Sequence, residues 1–208
     1  MFSEGVPEVK LSSALHWSEN DKGNWIEFRH KKIFSTGFQR GRHRCLIRTT
    51  EPIPLAAGSF YFEATVSAYD NGTISIGLTQ YSLHSNNGKF PGWDPGTFGL
   101  ATTYNTDSGE PVKFINISNG SRDTGRQICL KKKISPGDKM GCRLDYEPNK
   151  NKKDDIKIKV DFTVNGKFVG NQLLSTFDKV GELYPTIGMN SLGAILTTKF
   201  YWNKQISF

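Results

Sequence analysis

Residues Ile156–Val164 read IKIKVDFTV, and Asn165-Gly166 and Lys167–Gly170 (KFVG) follow without a break. Ile156, Ile158, Val160, Phe162 and Val164 alternate with Lys157, Lys159, Asp161 and Thr163. Side chains two apart share one face of a β-strand, so this spacing predicts a strand with its apolar row towards a core and its polar row in water. Asn and Gly both tolerate the positive φ of a type I′ turn. Asn165-Gly166 therefore predicts a tight hairpin, with Lys167–Gly170 as the returning strand.

The same period recurs on both sides of this hairpin. Phe60, Phe62, Ala64 and Val66 alternate with Tyr61, Glu63 and Thr65; Asp70-Asn71-Gly72 supplies a turn, and Ile74, Ile76 and Leu78 resume the pattern. Met140, Cys142, Leu144 and Tyr146 form a row opposite Arg143 and Asp145, and Ala194, Leu196, Thr198, Phe200 and Trp202 form another. No segment carries a helical stripe, and 21 glycines and 9 prolines punctuate the chain. Short strands divided by turn residues imply an all-β sandwich or barrel. Its 208 residues fit one domain, large enough to fold without stapling disulfides. The first two dozen residues are less regular. They are read as an N-terminal extension, residues 1–25, anchored by Trp17 and Trp25 against a domain of residues 26–208. Glu147–Asp155 (EPNKNKKDD) reads as a long solvated hairpin loop.

Lysines and arginines number 27 against 20 acidic residues, a net charge of +7. The surplus is scattered, denser only at Arg40–Arg48 and Lys131–Lys133, and lacks the interleaved aromatics of a single-strand nucleic-acid platform. Solvated faces, with a weak attraction for acidic partners, explain it better. Three cysteines, Cys45, Cys129 and Cys142, are too few and odd in number for a disulfide framework. Met1–Lys10 holds no apolar signal core, and no apolar run reaches the ~18 residues of a membrane span. The expectation is a reducing, cytoplasmic or nuclear setting. Sequons at Asn71, Asn116 and Asn119 speak faintly for secretion, and a removed leader stays open.

The chain offers little chemistry. There is no C-x-x-C and no H-x-x-x-H spacing for a metal. His43 and Cys45 share a strand face, but no third group orients them as nucleophile and base. His16, His30 and His84 are isolated, and Asp154-Asp155 lies in the lysine-rich loop. No enzyme, metal or cofactor is expected.

Six segments in order resemble the SPRY domain, in the pattern of Ran-binding protein M and its relatives. Arg48-Thr-Thr-Glu-Pro-Ile-Pro54 precedes Gly58-Ser-Phe-Tyr-Phe-Glu63, and Ile76-Gly77-Leu78 follows. Pro91-Gly92-Trp93-Asp94 with Phe98-Gly99, then Gly137-Asp138-Lys-Met-Gly141-Cys142, come next. Phe162-Thr-Val-Asn165-Gly166 with Gly170, and Leu183-Tyr-Pro-Thr-Ile-Gly-Met189, complete the set. The likeness spans about Ile26 to Trp202 and implies a bent two-layer antiparallel sandwich, jelly-roll-like. It also implies that Phe62, Ile76, Leu78, Cys142, Phe162, Tyr184 and Phe200 are core. Leu100–Gly109 (LATTYNTDSG) departs from the family's usual run, which alters a loop and leaves the strands intact.

The resemblance implies a non-enzymatic module that grips an extended peptide of a protein partner with its loops. In SPRY/SOCS-box relatives an arginine-containing segment does this, and Gly37–Arg42 is the matching stretch, with Phe38, Gln39, Arg40 and Arg42 as contacts. Tyr81, His84 and Phe90 of the following loop, and Asn190, Ser191 and Leu192, would complete the site. Trp93 either packs its loop down or faces a partner. Family members serve as substrate receptors or scaffolds of ubiquitin-ligase assemblies. The chain ends six residues after Trp202, so a piece of a larger protein, or a stand-alone protein like the secreted SPRY effectors of plant-parasitic nematodes, is expected. Alternatives of another class are a carbohydrate-binding sandwich, for which Asn105-Thr-Asp107 is a meagre ligand set, and a nucleic-acid-binding one.

Overall fold

Alternation of period two becomes strand pairing in fourteen strands among the described residues. The computed structural model describes residues 15–36, 45–54, 57–68, 72–80, 91–92, 96–104, 111–118, 126–129, 133–148, 156–176 and 181–202. Its strands are β1 (Trp17–Lys22), β2 (Ile26–Arg29), β3 (Lys32–Ser35), β4 (Cys45–Thr49), β5 (Ser59–Ala68), β6 (Thr73–Thr79) and β7 (Thr97–Tyr104). They continue with β8 (Pro111–Ser118), β9 (Arg126–Cys129), β10 (Lys139–Pro148), β11 (Ile156–Val164), β12 (Lys167–Thr176), β13 (Tyr184–Asn190) and β14 (Ile195–Trp202). No α-helix occurs among the described residues.

One antiparallel sheet runs β1-β4-β13-β6-β7-β8-β9 and the other β12-β11-β10-β5-β14-β3-β2. The apolar rows meet between them. Ile47, Ile74, Ile76, Leu78, Leu100 and Ile187 come from the first sheet; Phe60, Phe62, Cys142, Leu144, Val160 and Phe162 come from the second. The β11–β12 hairpin forms where the sequence puts it. Asn165 and Gly166 have φ of 52° and 75°, the left-handed pair of a type I′ turn. Asn165 Oδ1 accepts from the Lys139 amide and its Nδ2 donates to Asp138 Oδ1, both at 2.9 Å, which pins the turn to the start of β10.

Several sequence expectations need correction. The polar row of β11 does not all lie in water: Asp161 and Thr163 are each only 1% exposed. Tyr61 and Glu63 on β5 are buried too. The cause is Gly141, where a Cβ would stand 2.3 Å from both Tyr61 Oη and Thr163 Oγ1. With no side chain there, the Tyr61 ring lies across the sheet and its hydroxyl reaches Thr163 Oγ1 at 3.2 Å and Glu63 Oε2 at 3.3 Å. Glu63 also accepts from Lys139 Nζ at 3.4 Å and Tyr201 Oη at 3.2 Å, and Lys159 Nζ donates to Asp161 at 2.9 Å. Hydrogen bonds thus hold most of this buried polar face, and Asp161 Oδ1 alone of these groups has no hydrogen-bond partner.

Tyr184 and Phe200 are half-buried, Phe200 packing on the core's edge. Glu147 and Pro148 belong to β10, opposite Lys157 and Ile156, so the loop is shorter than read. Trp17 anchors as expected, buried with Nε1 donating to Thr198 Oγ1 at 2.7 Å. Trp25 does not; it is 43% exposed at a turn.

Candidate partner-binding rim

At one end of the sandwich the chain passes repeatedly from sheet to sheet. Gly23–Trp25 links β1 to β2, residues 36–44 link β3 to β4, and residues 69–72 link β5 to β6. Residues 191–194 link β13 to β14. Backbone hydrogen bonds knit these crossings together. Ser35 donates to the Ala194 carbonyl at 2.9 Å and accepts from Gly193 at 3.1 Å. Thr36 donates to the Trp25 carbonyl through its amide (2.9 Å) and its hydroxyl (3.2 Å). On the other side, Cys45 pairs with Met189, and Thr73 with Asn190.

The 191–194 turn and Trp25 therefore bracket the point where the chain enters the segment carrying Phe38, Gln39, Arg40 and Arg42. Those four residues lie outside the described ones, as do Tyr81, His84, Phe90 and Trp93. Asn190 closes β13, half-buried beside Thr73. Leu192 stands 59% exposed at the tip. Ser191 is 0% exposed with its Oγ unpartnered, so it braces the turn from inside and presents nothing to a ligand.

The loop that carries Tyr81, His84 and Phe90 leaves from Thr79, at the opposite end of β6 from Thr73. It returns at Pro91, whose carbonyl accepts from Ser75 Oγ at 2.8 Å, and Gly92 N donates to Thr97 Oγ1 at 2.9 Å. Pro91 thus sits over the outer face of the first sheet, beside Ser75 and two residues from Thr73. Trp25 is the contact candidate that sequence reasoning missed. Gly23-Asn24 directly before it was the signal, since a turn pair places the next side chain at a tip.

The electrostatics of that outer face centre on Arg48, which the sequence marks only as a basic residue. Its Nε donates to Asp21 Oδ2 between β4 and β1, and its guanidinium sits 3.9 Å from the Tyr184 ring centroid. Tyr184 Oη donates to Glu182 at 2.7 Å. Burial, and then Glu182, push the Tyr184 hydroxyl upward against the opposing pull of Arg48. No cluster of three or more potential metal ligands occurs among the described residues.

A family model described as the SPRY domain matches residues 59–201, from β5 to β14. The chain belongs to the SPRY family. SPRY domains are protein-interaction modules, and their members typically carry no catalysis. Ran-binding protein 9 of Xenopus laevis is 27% identical over 188 residues, covering 88% of this chain and 29% of the relative. The chain spans less than a third of the length of the curated relatives it matches. A human SPRY domain structure aligns with a TM-score of 0.59 and 26% identity, covering 88% of this chain and 98% of that one. A legume lectin-like domain from Entamoeba histolytica shares the fold, with a TM-score of 0.51 and 15% identity over 91% of this chain and 90% of that one.

Proposed function

We propose that this SPRY domain binds an extended segment of a protein partner at the rim formed by Phe38–Arg42, Trp25, Asn190 and Leu192, with Tyr81–Phe90 as a flanking wall. The observation that carries this is two exposed apolar side chains, Trp25 and Leu192, in the turns that hold Ser35 and Thr36, just before the stretch whose sequence holds Arg40 and Arg42. Large apolar groups supply contact area at interface centres, and arginine forks grip peptide carbonyls and carboxylates. Strands hold the base of the rim rigidly while connections supply the contacts, the usual division of labour in a binding scaffold. Such a grip serves recruitment. A ubiquitin-ligase assembly and a host-directed effector are the two settings the family likeness suggests, with a cytoplasmic or nuclear address.

A peptide array probed with the whole chain tests this. Arg40→Ala/Arg42→Ala and Asn190→Ala/Leu192→Ala should each lose the peptides that the unaltered chain retains. Retention of the same peptides by both variants would move the site elsewhere.

A further inference from the structure

The two neighbours of β14 stop at different points. Its ladder with β5 continues to Trp202↔Phe60, whereas its ladder with β3 ends at Thr197↔Lys32. The β2–β3 hairpin turns back too early, through His30 and Lys31. A cavity of 330 Å³ opens in the gap, at the end of β14 opposite Leu192. That volume falls within the roughly 300–1,000 Å³ of ligand pockets. Eight residues of strand, about 25 Å, separate the two ends.

Trp17, Phe28, Phe200 and Trp202 form the walls. The Trp17 and Phe200 rings lie 5.4 Å apart, so the aromatic floor is continuous. Lys31 and His16 stand exposed at the mouth, and no carboxylate lines it among the described residues. The turn that delivers Lys31 is itself unusual. His30 and Lys31 have φ of 50° and 62°, a left-handed pair normally given to Asn and Gly. Backbone held in such a conformation tends to mark functional positions.

We propose that this cavity is a second binding site, which takes a large apolar side chain carried on an acidic segment of a partner protein. The aromatic walls accept the side chain. The cationic mouth, free of acidic residues among those described, selects its carboxylate neighbours by charge complementarity. The site is independent of the rim at the other end of β14, and together they would read one partner at two separated points.

The whole ¹⁵N-labelled chain titrated with acetylated, amidated Asp-Glu-Phe-Glu-Asp tests this by NMR. The indole N–H signals of Trp17 and Trp202 should shift saturably while that of Trp25 stays put. Alanine in place of the phenylalanine, or lysine in place of the acidic residues, should abolish the shifts. Lys31→Glu should weaken binding about tenfold, the loss of one charge-assisted contact, with the melting temperature unchanged. Leu192→Asp, which disables the rim, should leave this titration as it was, so the two sites stand or fall separately. No saturable shift, equal binding of the lysine peptide, or full affinity in Lys31→Glu overturns the proposal. Equal uptake of indole-3-acetate overturns it too, making the cavity a small-molecule site.

Discussion

Gly72 and Ser191 touch so closely that no side chain fits between them. A Cβ at Gly72 would stand 2.9 Å from Ser191 Cβ and 2.2 Å from the Asn190 carbonyl oxygen, and Gly72 has φ of 132°. This contact holds Gly72, just before β6, against the turn that carries Leu192. Gly72→Ala should cost about 1–3 kcal/mol through strain and displacement of the turn. A thermal melt followed by circular dichroism would register the loss, and partner affinity should fall with it.

Arg48 makes a second testable bond, to Asp21. Both side chains are largely buried, so Arg48→Met takes an ion-pair partner from a buried carboxylate and should cost about 3–5 kcal/mol in urea unfolding. Asp21→Leu/Arg48→Met removes both charges and should recover part of that loss, because no buried carboxylate then faces an apolar side chain. Arg48→Lys should also destabilise, since lysine lacks the planar guanidinium that stacks on Tyr184.

Phe162 fills the centre of the core with no exposure. Phe162→Ala should cost about 3–5 kcal/mol, much of a typical domain's stability. An unchanged melting temperature would contradict the strand face assigned to it.

Alkaline pH should unfold the domain. Burial pushes the Cys142 thiol well up, and pushes the Tyr61 hydroxyl to about 12, with Glu63 adding to the effect. Unfolded, these groups ionise near pH 8.5 and 10. The native state therefore holds protons that the unfolded state releases, and stability falls as pH rises above those values. Equilibrium unfolding between pH 7 and pH 11 should show a decline that starts near pH 8.5. Cys142 should react with maleimide only after unfolding.

The hairpin at Asn165-Gly166 and the apolar rows were legible because each rests on neighbours in sequence. β8 was not. Val112 and Phe114 hold one parity, Ile115 and Ile117 the other, and the ladder with β7 shifts register between Thr102 and Tyr104. That slip erases the period-two signal. The burial of Asp161 and Thr163 was equally hidden, for it depends on Tyr61 lying over Gly141 from a strand far away in sequence. At the rim, family likeness pointed to Asn190–Leu192, but only the fold separates exposed Leu192 from buried Ser191 and turns Trp25 outward.

The most direct test of the rim is the affinity of the strongest array peptide for the Leu192→Asp chain, measured by calorimetry beside its melting temperature. Loss of an exposed apolar anchor, with a charge put in its place, should weaken binding about tenfold or more while the melting temperature holds. Undiminished affinity, or an array on which the unaltered chain binds nothing, would contradict the account.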